Sequence, residues 1–393
     1  MGWDRQLKQL MLALALTCAL GWLFKAECAP GGWTHSEQYS TGCYSDAVPF
    51  WTGRGVAAGE IPYLQARMEY PVLTGALIWA EGGATRLLFG GQANAMHFLA
   101  VVTLVNALLA GLVLWLLWHA GMDRRRLWAW ACAPPLILYV GHNWDMLAIA
   151  FAVGALLLAR RAKPVQSAAL AGLGVAAKLF PILLLPLLGL QALFRRNLIL
   201  AIAIGGAAVA AWALVDLPVA LAAFANWSEF YSFSGARSGT AASVWEILGQ
   251  SGIWPTSIAE RNSWSLLLFV SGAAAIIGFG WRLHAGRLWV LFTPLLAWFL
   301  LTNKVYSPQF DLWLYPMLLV TAPRLRPVAL FVVGDIAAYF AEFWWFASTD
   351  GVWPYGVTPG WIAAAAALRA AAMLWIIADC VRRPAPEWLE RNA

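Results

Sequence analysis

Charge is scarce in this chain. Asp, Glu, Lys and Arg make up 12% of its 393 residues, while 61% are hydrophobic. A water-soluble domain carries about twice that share of charge. So little polar surface excludes a soluble globular protein and leaves a polytopic membrane protein. Cysteine is also scarce, at five residues. No CxxC spacing occurs, which excludes metal frames of that kind. His97, His119 and His284 have no acidic partner at ligand spacing and receive no role. There is no internal repeat of solenoid period and no low-complexity linker. Nor is a cleavable targeting peptide evident. The apolar run 9–24 is long for a signal h-region, and Cys28-Ala29-Pro30 is a poor cleavage site, so the run reads as a retained signal anchor.

The positive balance of +6 does not point to nucleic acid. Arg and Lys fall in short clusters between apolar runs, such as Arg124-Arg125-Arg126 and Arg195-Arg196, which is the positive-inside pattern. Threading the runs by that rule gives an all-α chain of about twelve spans in one transmembrane domain, 1–393, with both termini cytoplasmic. The first extracytoplasmic loop is 25–93, with a short interfacial or re-entrant run at 71–80. A second large loop is 217–262, and a third is marked by Trp353-Pro354-Tyr355-Gly356. A run at 127–141 and another at 143–159 turn at Gly141-His142-Asn143-Trp144-Asp145. The run 165–194 breaks at Lys178-Leu179-Phe180-Pro181. Another pair, 288–302 and 309–322, turns at Asn303-Lys304-Val305-Tyr306-Ser307-Pro308.

Ionisable groups at membrane depth are costly and usually functional. The first loop holds Asp46 and Glu69 close to Arg54, among aromatics, and is expected to be the centre of chemistry. Asn143 and Asp145 open a span, where capping a helix end competes with a functional role. Lys178 interrupts an apolar run, and its structural alternative is a snorkelling lysine at the outer rim. Lys304 occupies a tight turn with Tyr306 and Gln309 beside it, on the side where positive charge is disfavoured. Asp335 and Arg369 read as a buried ion pair between late helices. Cys28 and Cys43 share the first loop, where a disulfide and two free thiols both stay open. A carboxylate with two lysines in a partly apolar outer cleft suits a lipid phosphate donor. Lysine supplies a point charge to phosphate, and the carboxylate can take a proton from an attacking hydroxyl.

Tyr44-Ser45-Asp46, Glu69-Tyr70-Pro71, Asn143-Trp144-Asp145, Lys178-Leu179-Phe180-Pro181 and Asn303-Lys304-Val305-Tyr306-Ser307-Pro308-Gln309 together resemble the bacterial family 87 glycosyltransferases. These belong to the GT-C superfamily of polyprenyl-phosphate-sugar-dependent enzymes and include actinobacterial mannosyltransferases. The resemblance implies a multi-pass plasma-membrane enzyme with an extracytoplasmic active site. It would move a hexose, usually mannose, from a polyprenyl-phosphate sugar to a lipid-linked or cell-envelope glycan. It also implies Asp46 as the base. Donor phosphate is then assigned to Lys304 and Lys178, and substrate contacts to Arg54, Asn143, Asp145, Tyr306 and Gln309. No cofactor is implied. Many relatives show paired acids in the first loop, but here Asp46 is followed by Ala47, and a divalent metal is not indicated. A secondary transporter or flippase for a lipid-linked or small anionic substrate stays open as an alternative. So does an assembly protein, which would not need Lys178 and Lys304.

Overall fold

The computed structural model describes residues 5–34, 36–351 and 356–390. The third loop expected at Trp353-Pro354-Tyr355 lies outside them. Helices follow one another almost without interruption: α1 (Arg5–Ala26), α2 (Glu37–Ser40), α3 (Ala47–Gly53), α4 (Val72–Phe89), α5 (Ala95–His119) and α6 (Arg124–Ala131). Next come α7 (Pro134–Tyr139), α8 (Asp145–Arg160), α9 (Pro164–Ala177), α10 (Leu184–Phe194), α11 (Leu198–Ala222) and α12 (Phe224–Ala236). The last part holds α13 (Val244–Gln250), α14 (Ile258–His284), α15 (Phe292–Thr302), α16 (Asp311–Thr321), α17 (Leu325–Thr349) and α18 (Pro359–Arg382). No strand forms among the described residues.

Six of the described helices, α1, α5, α11, α14, α17 and α18, are long and apolar enough to cross a membrane. The other runs expected as spans form shorter helices. The run 127–141 divides into α6 and α7 at Cys132-Ala133, because Pro134 and Pro135 can only open a helix there. Pro181 likewise ends the helical ladder after Ala177, so α9 gives way to a 3₁₀ turn, Phe180–Leu183, before α10. The short run expected at 71–80 is instead the start of α4, which continues through Glu81 to Phe89. The loop expected at 217–262 is largely helical, in α12 and α13. Side-chain caps set several starts: Asn94 accepts from the His97 N–H, and Ser257 and Glu260 form a reciprocal capping box on α14.

The chain divides into two compact units. The first takes Met1–Ala26, Ser45–Ser234 and Trp388–Ala393; the second takes Glu27–Tyr44 and Gly235–Glu387. In the first, α8 is the core helix, buried on nearly every side by Ala148, Ile149, Ala152, Val153 and Leu156. It packs against α5 and α9, and α9 packs in turn on α11. A side chain at Gly172 of α9 would sit 2.3 Å from the Ala208 carbonyl oxygen of α11. The absent Cβ is what lets these two backbones approach. In the second unit, α17 lies along α18, with α14 and α15 also against α18. Gly334 of α17 plays the matching part, since a Cβ there would meet the Arg369 backbone at 2.7 Å.

Candidate active site

In the first unit, the loop entering α3 is stitched to the turn between α7 and α8. Ser45 Oγ donates to the Gly141 carbonyl at 2.6 Å. The Asp46 N–H donates to the His142 carbonyl at 2.8 Å. That turn is itself pinned from α5, where Asn106 Nδ2 donates to the Val140 and Asn143 carbonyls at 2.8 and 2.6 Å. Asp46 stands at the N-cap position of α3, yet its carboxylate does not cap the helix. It accepts instead from the Tyr70 hydroxyl at 3.1 Å.

Tyr70 links Asp46 to the helix break. The Lys178 ammonium lies 4.6 Å from the Tyr70 ring centroid and pairs with Asp145 Oδ1 at 2.8 Å. Asn143, not Asp145, receives the first N–H of α8: its Oδ1 accepts from the Asp145 N–H at 3.0 Å. Asp145 is thereby left to face Lys178. The break keeps its own backbone satisfied as well, for Thr74 of α4 donates to the Ala177 carbonyl at 2.7 Å. Aromatic walls close the cluster, with Phe50, Tyr70 and Trp144 centroids 5.1–5.6 Å apart. Behind them Trp144 Nε1 donates to the buried Glu81 at 2.6 Å.

Lys25 belongs to this cluster as well. It lies in the last turn of α1 and is fully buried. Its side-chain nitrogen lies 3.4 Å from His142 Nδ1, and the His142 carbonyl in turn accepts the Asp46 N–H. Burial, reinforced by Lys25 and Lys178, pushes the His142 imidazole well below its ordinary pKa. A neutral ring with an accepting Nδ1 is the consistent state. Nothing local in the sequence could pair residues 25 and 142. Their only signal was a lysine closing an apolar run.

The other first-loop candidates lie in the same unit. Arg54 grips Glu69 through two bonds, Nε to Oε2 at 2.6 Å and Nη2 to Oε1 at 2.7 Å. Both side chains are partly exposed. Glu69 is thus held by a bidentate guanidinium, while Asp46 accepts from a neutral hydroxyl.

Lys304, Tyr306 and Gln309 belong to the second unit. Lys304 is buried and donates to the Gly235 carbonyl at 2.7 Å. Burial, and then the charges of Arg237 and Arg261, hold its pKa below the ordinary lysine value. Thr240 Oγ1 accepts from the Tyr306 N–H at 2.7 Å. The Tyr306 hydroxyl donates to Asp311, and the Arg369 guanidinium lies 3.8 Å from the Tyr306 ring centroid. Arg369 pairs with Asp311 Oδ2 at 2.8 Å, a carboxylate that sequence reading passed over, and Asp335 adds a second negative charge. Gln309 is half-buried in the 3₁₀ turn Pro308–Phe310. Cys28 and Cys43 are joined in a disulfide with a Cα separation of 6.2 Å, inside the usual bridging range. Among the described residues no group of three or more His, Cys, Asp or Glu is arranged to hold a metal ion.

Six described helices long and apolar enough to cross a membrane, with charged clusters at helix interruptions, define a membrane-embedded protein. The sequence profile of glycosyltransferase family 87 matches residues 88–308, more than half of the chain. The chain belongs to glycosyltransferase family 87. The matched stretch contains Asn143, Asp145, Lys178, Lys304 and Tyr306, whereas Asp46, Arg54 and Glu69 precede it. No curated protein sequence is significantly similar to the chain.

Proposed function

We propose that this glycosyltransferase moves a hexose, with mannose as the first candidate, from a polyprenyl-phosphate donor to a lipid-linked or cell-envelope glycan. The reading places the reaction at the extracytoplasmic face, in a chain of about twelve membrane segments with cytoplasmic termini, on the positive-inside distribution of Arg and Lys. One observation carries it: the Asp46 carboxylate, uncommitted to helix capping, is oriented by Tyr70 beside the Lys178–Asp145 pair. In the proposed step Asp46 removes the proton of the acceptor hydroxyl as its oxygen attacks the anomeric carbon. The bond from that carbon to the phosphate oxygen breaks, and the polyprenyl phosphate leaves with the electron pair. Attack from the face opposite the phosphate inverts the anomeric centre. A phosphate needs charge stabilisation more than an acid, so one essential base suffices.

Lys178 is assigned that stabilising charge, with Asp145 setting its position. Lys304 receives the donor phosphate as a separate assignment, on its burial beside the Arg237 and Arg261 charges. Arg54, Asn143, Tyr306 and Gln309 remain proposed substrate contacts, and the mechanism calls on no cofactor. The test is release of polyprenyl phosphate from a synthetic polyprenyl-phosphate sugar by purified protein. Asp46→Asn should lower turnover about 10²–10⁴-fold with the protein still folded, while Glu69→Gln keeps most of it. An active Asp46→Asn beside an inactive Glu69→Gln would move the base to Glu69.

A further inference from the structure

Along α8, from Leu147 to its C-terminal end, runs a feature the transfer reaction does not use. Helices α5, α8 and α9 enclose a half-open groove of about 430 Å³, within the range of ligand pockets. Its walls are apolar, with Leu112, Trp115, Leu147 and Ala150 among them, and its polar groups are His119 and Arg161. Leu112 and Trp115 are 45% and 40% exposed, so the groove opens sideways, toward lipid in a membrane-embedded chain. Asp145 is the first residue of α8 and Arg161 its C-cap. At 1.5 Å per residue they are about 24 Å apart along the axis.

The basic turn after α8 divides its work. Arg160 is taken up by carbonyls, donating to Ala120 and Trp388 at 2.6 Å and to Leu389 at 3.4 Å. Arg161 is exposed, and its guanidinium donates to no described residue. His119 Nδ1 lies 2.8 Å from the Trp115 carbonyl. A carbonyl only accepts, so Nδ1 carries the proton and Nε2 is left to accept from a donor.

We infer that this groove binds an anionic phospholipid, one acyl chain against the apolar wall, the phosphate at Arg161 and a headgroup hydroxyl donating to His119 Nε2. A soluble anion would have no use for the wall, and a zwitterionic lipid would gain less from the Arg161 charge. A basic pocket between membrane helices is a recurrent device for anionic headgroups. A polyprenyl phosphate has similar chemistry, but its phosphate must reach Asp46, beside the Asp145 end of α8 and a helix length from Arg161. That exclusion rests on the proposed reaction.

The experiment is native mass spectrometry of the purified protein titrated with phosphatidylglycerol, phosphatidylcholine or polyprenyl phosphate. Phosphatidylglycerol should be retained over phosphatidylcholine, and Arg161→Gln should cut that preference about five-fold, the value of one surface cation. Leu112→Trp, which fills the groove from an exposed position, should lower retention of phosphatidylglycerol. Equal retention of the two phospholipids by the native chain, or an unchanged preference in Arg161→Gln, overturns the inference. Stronger retention of polyprenyl phosphate that Arg161→Gln abolishes would overturn it too, by making the groove a donor site. Loss of turnover in Asp46→Asn without loss of phosphatidylglycerol separates this site from the catalytic one.

Discussion

The Lys178–Asp145 pair offers the sharpest test of how structure and chemistry share residues. Its charges are 2.8 Å apart, with the side chains 13% and 1% exposed. At an effective dielectric of about 20 that separation corresponds to an attraction of about 6 kcal/mol. Burying two ions costs several kcal/mol each, so the intact pair contributes little net stability. Removing one partner is different, because the survivor stays buried without compensation. Asp145→Asn and Lys178→Met should each cost about 3–5 kcal/mol. The double variant places two neutral groups of similar volume together, and should fall short of the summed cost by at least about 2 kcal/mol. Chemical unfolding followed by tryptophan fluorescence measures all four states. Function then divides from stability. If Lys178 acts on the donor phosphate, the double variant regains stability but keeps a raised KM for donor. Additive unfolding costs would refute the coupling, and recovered turnover in the double variant would make Lys178 a structural cation only.

Three further outcomes follow from single sites. Lys304→Ala should weaken donor binding and lower turnover; an effect confined to acceptor KM would remove it from the phosphate assignment. Replacing Cys28 and Cys43 by Ser should cost about 3 kcal/mol for a 15-residue loop. Alkylation of both thiols in non-reduced native protein would contradict the bridge. Lys25→Met should leave His142 Nδ1 without its donor, at about 1–3 kcal/mol, and reduce turnover with donor KM little changed. Full activity in Lys25→Met would exclude Lys25 from positioning Asp46.

The helical, membrane-embedded class was legible because composition alone forbids a soluble surface. The break at Lys178 was legible for a local reason: Pro181 cannot continue the hydrogen-bond ladder whatever surrounds it. Long-range partnership was not legible. Glu81-Gly82-Gly83 reads as the end of an apolar run, yet α4 passes through it because Trp144, 63 positions away, donates to Glu81. Asp145 read equally well as a cap or a functional acid; the structure removes the cap, with Asn143 taking the N–H and Lys178 pairing with the carboxylate. The Ser- and Gly-rich stretch 217–262 looked like loop on composition. Helix α13 nevertheless forms there, capped by Ser243 and anchored by Trp245, whose Nε1 donates to the Thr302 carbonyl at 2.9 Å. Arg369 found Asp311 across 58 positions, a pairing no spacing rule supplies.

These cases share a physical cause in helix length. At 1.5 Å per residue α5 reaches about 38 Å, whereas α8 reaches about 24 Å and α9 about 21 Å, short of an apolar layer about 30 Å thick. A helix that stops early leaves carbonyls and N–H groups where lipid cannot satisfy them. Several such ends here have a side-chain or backbone partner. Asn106 and Ser45 serve the turn before α8, Asn143 its first N–H, and Thr74 the end of α9. In the second unit Trp245 serves the end of α15, and the Thr240 N–H donates to the Lys304 carbonyl. Polar groups brought in to satisfy the backbone also make these places tolerant of charge. Asp145, Lys178 and Lys304 therefore sit at helix interruptions and not in the long spans. Where α8 and α9 stop short, the served backbone leaves a place that holds the Lys178 ammonium beside the Asp145 carboxylate.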